Sequence, residues 1–256
     1  NTNPAFPLSS GLILSTGNAN NVGGPNLTNL NDGNSSAWTN VGDTDLESII
    51  LSATGQAMVS RNATKLEFDF TSQNEFMSFN FLFASEEYGT FQCQFADAFA
   101  FLLTDLVTGV TKNLAVVPGT NVPISVVTIR DNEHNPNCNS QNQSFFDKFN
   151  SEWAHIAPIN FNGQTTLMSA SSEIIANRPY HIKLVIADRQ DPMYDSAVFI
   201  QAGSFSSGPP QCTDKVQLVA FIDENNNGTK EDTENSFTYG SFVYQVNDGG
   251  EKTNNS

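Results

Sequence analysis

The chain has 256 residues, room for one large domain or one domain plus part of another, and its 11 basic against 27 acidic residues give a formal charge of −16. Its Lys and Arg residues are scattered without a stripe or cluster, which argues against a nucleic-acid partner. No apolar run approaches the roughly 18 residues of a membrane span, so no direct span is expected, and the acidity suits an extracellular protein in a medium that supplies divalent cations.

In chain order, the first 45 residues are dominated by Asn, Gly, Ser and Thr and predict long surface loops tied down by a short apolar strand at 12–14. Thr44-Asp45-Leu46-Glu47 has the form of a capping box and predicts a short helix through Ile49 and Ile50. Strand patterns then take over. Leu66, Phe68 and Phe70 alternate with Lys65, Glu67 and Asp69; 76–83 continues with Phe79, Phe81 and Phe83 on one face; 98–103 is apolar on both faces, as a central strand should be. Further strands are expected at 114–117, 123–129, 165–170, 180–187 and 197–202. Helical periodicity returns at 144–153, where Phe145, Phe146, Phe149 and Trp153 can share one face. So many short strands between Gly, Pro and Asn turns predict an all-β protein, a β-sandwich with long Asn/Gly-rich loops and one or two short helices. The run Ser206-Ser207-Gly208-Pro209-Pro210 marks a boundary. It divides a first domain, 1–207, from 208–256, a linker and the start of a second β module.

That second segment carries a twelve-residue spacing of oxygen ligands. Asp223, Asn225 and Asn227 can converge on one ion, Thr229 can offer its carbonyl, Glu231 can act directly or through water, and Glu234 can bind bidentately. Gly228 permits the turn. Hard oxygen donors without sulfur or imidazole favour Ca2+. The flanks at 216–222 and 237–244 alternate as strands do, so the loop is expected to join a β-strand pair; the plain alternative is an Asn/Gly turn that binds nothing.

The three cysteines are Cys93, Cys138 and Cys212. Cys93 with Cys138 is the first choice for a disulfide, since both lie in polar loop sequence of one domain. Free thiols, or a bond from Cys212 beyond this chain, are the alternatives.

Acids concentrate beside apolar strands in two places: Glu86 and Glu87 followed by Asp97, and Asp188, Asp191 and Asp195. Several carboxylates held together need a cation or protons to offset their repulsion. Against that, the aspartates can be turn residues and the glutamates a solvated strand end. Paired carboxylates also suit a glycosidase, whose acid and base stand about 5 to 9.5 Å apart. No nucleophile elbow, His-Glu-x-x-His or phosphate-binding glycine loop is present, and His134, His155 and His181 read as isolated. Trp38, Tyr88, Trp153 and Tyr194 lie in or beside loops, either as faces for sugar rings or as local core plugs.

The stretches GLILSTGNANNVGGPN, DTDLES, KLEFDF, LFASEEYGTFQCQFADAFAFLL, LAVVPGTNVPISV and PYHIKLVIADRQDPMYDSAVFIQAGSF, in this order over about residues 10–205, resemble the choice-of-anchor L domain of bacterial secreted surface proteins. Residues 131–153 depart from the pattern as an individual elaboration. KVQLVAFIDENNNGTKEDTENSF is similar to calcium-binding modules repeated in large adhesins. The family's acidic motifs fall on Glu86, Glu87 and Asp97, and on Asp188 and Asp195. Of these, Glu87, Asp97 and Asp195 are expected to meet at one edge of the sandwich around a second calcium. The resemblance implies export behind a removable signal peptide, type IX secretion of the kind found in Bacteroidetes, and an extracellular or cell-surface location. The expected function is non-enzymatic: a calcium-stabilised adhesin domain for attachment, biofilm or gliding motility. Its partners would be a surface glycan or protein ligand and the secretion and anchoring machinery. The alternatives are a carbohydrate-binding module and a secreted glycan-active hydrolase.

Overall fold

In a computed structural model of the chain, the structure describes residues 6–34 and 40–206, with 222, 231, 233, 235, 236, 241–244 and 252–255. The chain divides into two compact units, Asn1–Pro210 and Gln211–Ser256.

The first unit is an all-β sandwich of two antiparallel sheets. One sheet has the order β1 (Gly11–Ser15), β10 (Ser196–Gln201), β3 (Phe76–Ser85), β7 (Gly163–Thr165) and β6 (Phe146–Phe149), with β8 (Met168–Glu173) also paired to β3. The other runs β2 (Ser60–Thr71), β9 (Pro179–Arg189), β4 (Ala98–Asp105), β5 (Thr111–Asn113). Strand periodicity decides what lies between them. Phe79, Phe81 and Phe83 of β3 project inward to meet Phe99 and Phe101 of β4, with ring centroids 4.9 to 5.0 Å apart for the closest pairs. Each fully buried ring contributes about 2–3 kcal/mol.

Both sheets are also covered on their outer faces, which is why the central strands read as apolar throughout. Leu82 and Ala84 of β3 pack under Phe6, Leu8, Val22 and Leu30 of the N-terminal loops. Ala98, Ala100 and Leu102 of β4, with Val185 and Ala187 of β9, face Leu46 and Ile50 of the helix α1 (Thr44–Thr54). The helix begins one residue earlier than a Thr44 cap implies. Asp43 is the N-cap and accepts from the N–H groups of Asp45 and Leu46, while Glu47 turns away to accept from Ser60. Gly55, at φ 70°, ends it in the left-handed conformation that glycine adopts without strain.

Lys183 lies on the helix side of β9, buried against Asp43 at 2.6 Å and Asp45 at 2.8 Å. Burial raises the Asp43 pKa, but the Lys183 ammonium and the Leu46 N–H outweigh it and hold the carboxyl below its usual range. This contribution is therefore present above pH ~4 and lost as pH falls further. Asp43→Ala is expected to cost about 3 kcal/mol, because it strands a buried ammonium; Asp43→Asn, which keeps the cap acceptor, should recover about 1 kcal/mol of that. Urea denaturation measures both, and a loss under about 1 kcal/mol for Asp43→Ala would mean that Asp45 alone satisfies Lys183.

Three sequence expectations are corrected. Residues 114–117 and 123–129 are not strands. They form a buried cover in which Val116 makes one bridge to Pro123 and residues 125–129 turn tightly, Thr128 Oγ1 donating to the Pro123 carbonyl. Pro123 has no N–H for a ladder, and the side chains that alternate there still reach the core: Leu114, Val117, Ile124 and Ile129 are all buried. Residues 144–153 are not a helix. A 3-10 turn at Gln143–Phe145 leads into β6, and a second 3-10 run, Asn150–Ile156, is kinked at Trp153. Pairing of β6 to β7 outweighs the helical spacing of the aromatics. The strand expected at 165–170 is split, Thr165 ending β7 and Met168 starting β8.

In the second unit, β11 (Ser241–Tyr244) pairs antiparallel with β12 (Lys252–Asn255), and the Ile222 N–H donates to the Asn235 carbonyl. Of the expected calcium loop, Glu231 is exposed; Asp223, Asn225, Asn227, Thr229 and Glu234 lie outside the described residues, as does Cys212.

Candidate functional site: a buried carboxylate cluster

The ladders themselves bring the acids together. In the first sheet Ser85 pairs with Ser196, so the next facing positions are Glu86 and Asp195, and the Glu86 N–H donates to the Asp195 carbonyl. In the second sheet Ala98 pairs with Ala187, so the next are Asp97 and Asp188. The connections 86–97 and 190–195 both cross between the sheets at this same end. One acid pair from each sheet is thereby delivered to one place, with Glu87 accepting from the Asp97 N–H at 2.9 Å.

All five carboxylates are buried, none more than 4% exposed. That removes the reading of a solvated strand end for Glu86 and Glu87, which lie in a buried turn after β3, and Asp188 belongs to β9 rather than to a turn; of these acids only Asp191 is half-exposed. N-terminal loops close the cluster. Glu86 accepts from the Leu30 N–H, and Asp195 accepts from the N–H groups of Asp32 and Gly33. Asn62 sits at φ 51° in the irregularity of β2 and donates to Asp188 Oδ2 at 2.7 Å and to the Gly33 carbonyl. A Cβ at Gly17 would overlap the Asp195 carboxylate, and one at Gly33 would stand 3.0 Å from both Asp188 Oδ2 and Asp195 Oδ1. Glycine is required at both positions because the two loops approach the carboxylates so closely.

These bonds leave much unsatisfied. Glu86 Oε2, Asp97 Oδ2, Asp188 Oδ1 and Asn62 Oδ1 are buried without a hydrogen-bond partner, and among the described residues no Lys, Arg or His forms a salt bridge to any of the five acids. Burial, followed by the neighbouring charges, raises every one. Glu86 is pushed up to about 8, against its bond from Leu30 and with the charge of Asp195 adding to burial. Glu87 also reaches about 8, burial being joined by Asp188 and Asp191. Asp97 is raised well above the usual range by burial and then by Glu87 and Asp188. Burial lifts Asp188 to about 7 despite the Thr16 and Asn62 side chains, and lifts Asp195 despite its two backbone bonds.

Of the three acids expected to meet, Glu87 and Asp97 are in direct contact, while Asp195 is linked to them through Asp188, which feels both sides. Asp188 is thus the hub, and sequence reasoning left it out of the ligand set. The missed Asn62 and Leu30–Gly33 partners had only weak signals: an Asn within a strand pattern and an Asp-Gly pair in a loop. The donor set is all oxygen, which suits calcium or another hard cation. Among the described residues no three acidic, imidazole or thiol side chains already form a coordination shell, so an ion here would also draw on amide, hydroxyl or carbonyl oxygens or water.

A second constellation lies on the loop that follows. Cys93 and Cys138 are joined by a disulfide with Cα atoms 5.8 Å apart. Across a separation of 45 residues it restricts the unfolded chain by about 4 kcal/mol in the chain-entropy account. His134 is not isolated: Nδ1 is 2.7 Å from Asp131 Oδ2, Nε2 is 3.0 Å from Glu152 Oε1, and the ring stacks on Phe149. His181 likewise meets Asp69 at 2.7 Å. Of the loop aromatics, Tyr88 is a core plug, Tyr194 packs on Phe91, Trp153 is 62% exposed, and Trp38 lies outside the described residues.

No helix of the described residues is long and apolar enough to cross a membrane. Neither the curated proteins nor the solved structures offer a match. The model of the Choice-of-anchor L domain matches residues 1–206, the whole of the sandwich with its carboxylate cluster, and the chain belongs to that family of surface-associated proteins.

Proposed function

We propose that this is a non-catalytic, calcium-stabilised domain of an exported cell-surface adhesin. The observation that carries the reading is the buried carboxylate cluster: five acids gathered from both sheets, three with a partnerless oxygen, and no salt bridge to any of them among the described residues, with only the more distant charge of Arg189 opposing their repulsion at Glu87. Protons or a cation must neutralise it, and near neutral pH a divalent cation does so with the sheets and N-terminal loops drawn together. Calcium there is structural, fixing the crossing connections from which surface loops project. Attachment, in biofilm or during gliding, then falls to those loops, and export and anchoring to the secretion and anchoring machinery.

A glycan hydrolase is the weaker reading, because its acid and base must reach a bound sugar, whereas Glu86, Glu87, Asp97, Asp188 and Asp195 are closed off from solvent. Labelled chain incubated with bacterial cells and extracellular polysaccharide tests the proposal. Retention that needs calcium, without release of sugar products, is expected. Equal retention after chelation would remove calcium from the function, and product release would make the domain an enzyme.

A further inference from the structure

Residues 131–153 build a second feature that shares no residue with the carboxylate cluster. A cleft of ≈ 300 Å³ lies there, lined by Glu133, Gln143, Phe149, Glu152 and Trp153 with His134 among them. Its volume is at the small end of ligand sites.

The walls are held before any ligand arrives. The Cys93–Cys138 disulfide and the Arg130–Gln141 bridge pin one side, where Asn135 also donates to the Gly89 and Thr90 carbonyls. On the other side, Asn150 donates to the Phe161 carbonyl and Ser151 to Asn162 Oδ1. His134 ties the two together through Asp131 and Glu152. A site fixed in this way loses little entropy on binding.

We propose that this cleft binds a neutral saccharide. A pyranose ring has one apolar C–H face and a rim of hydroxyls. Trp153, 62% exposed beside a polar cleft, offers the flat apolar surface, and Glu133, Gln143 and Glu152 offer acceptors and an amide donor for the rim. Glu152 is itself 56% exposed, so an oxygen remains for a ligand beyond the one that faces His134. Four acids line the cleft, Asp131, Glu133, Asp147 and Glu152, against Lys148 and His134, and this excess disfavours sulfated or uronic sugars. A core-plug role does not account for Trp153, because its side chain stands exposed rather than packed into the core.

The test is a printed array of neutral, N-acetylated, uronic and sulfated glycans, probed with the labelled full chain in calcium buffer. Wild type should retain neutral or N-acetylated structures. Trp153→Ala should lower that retention about tenfold or more while leaving thermal unfolding unchanged, and Trp153→Phe should keep most of it. No glycan retained above background, equal retention by Trp153→Ala, or a preference for sulfated or uronic glycans would each overturn the proposal. Because every arm contains calcium and is read against Trp153, failure here leaves the calcium reading standing.

Discussion

Millimolar calcium should raise the melting temperature of the wild-type chain by roughly 5–10 °C over the chelated form. At a hundredfold excess over the dissociation constant, binding to the folded state alone adds about 2.7 kcal/mol. In a domain of this size each kcal/mol moves the melting point by about 2–4 °C. The decisive comparison is Asp188→Asn. Asp188 is charged against both halves of the cluster, and one of its oxygens is buried without a partner. The amide keeps the shape and removes one negative charge, so the chelated variant should melt above chelated wild type while its response to calcium shrinks to about 2 °C or less. Calorimetry in calcium and in chelator reads all four values. A wild type indifferent to calcium would reject the ion, and an Asp188→Asn variant that responds as wild type does would reject this site for it.

The pH dependence of stability should change sign with calcium. Glu86 and Glu87 are raised to about 8 and Asp188 to about 7 by burial and mutual repulsion, while in the unfolded chain each titrates near ~4. Between those values the folded state holds more protons. Stability from these groups is thus complete below about pH 4 and lost as pH rises toward 8, at about 1.4 kcal/mol per pH unit for each extra proton held. The chelated protein should therefore melt much lower at pH 8 than at pH 5, by about 10 °C or more. With calcium the ion displaces those protons, binding tightens as pH rises, and the loss should vanish or reverse. Melting curves from pH 5 to 8, with and without calcium, check this; two parallel profiles would contradict it.

Much of the fold could be read in advance because its strands carry a period of two. The phenylalanines of 76–83, the doubly apolar 98–103 and the run 180–187 became β3, β4 and β9, paired as expected for a sandwich. Failures came where burial and hydrogen bonding part company. Residues 114–129 are apolar enough to be core, yet proline and local Ser and Thr bonds replace the ladder. At 144–153 a helical spacing of aromatics lost to pairing with β7.

The acids show the same division. That they flank the inner strands is a property of local order along the chain, and so is the family resemblance that rests on them. Which acids face each other depends on register, and a shift of one residue would turn each to the opposite face. The pairs Glu86 with Asp195 and Asp97 with Asp188 exist only because Ser85 meets Ser196 and Ala98 meets Ala187. The sequence by itself therefore determined the central strands β3, β4 and β9, the sandwich class and the acidic character of one strand end. Only the tertiary structure decided that two sheets deliver their acids to one closed place, with Asp188 as the link, because burial and charge repulsion depend on distance in space rather than along the chain.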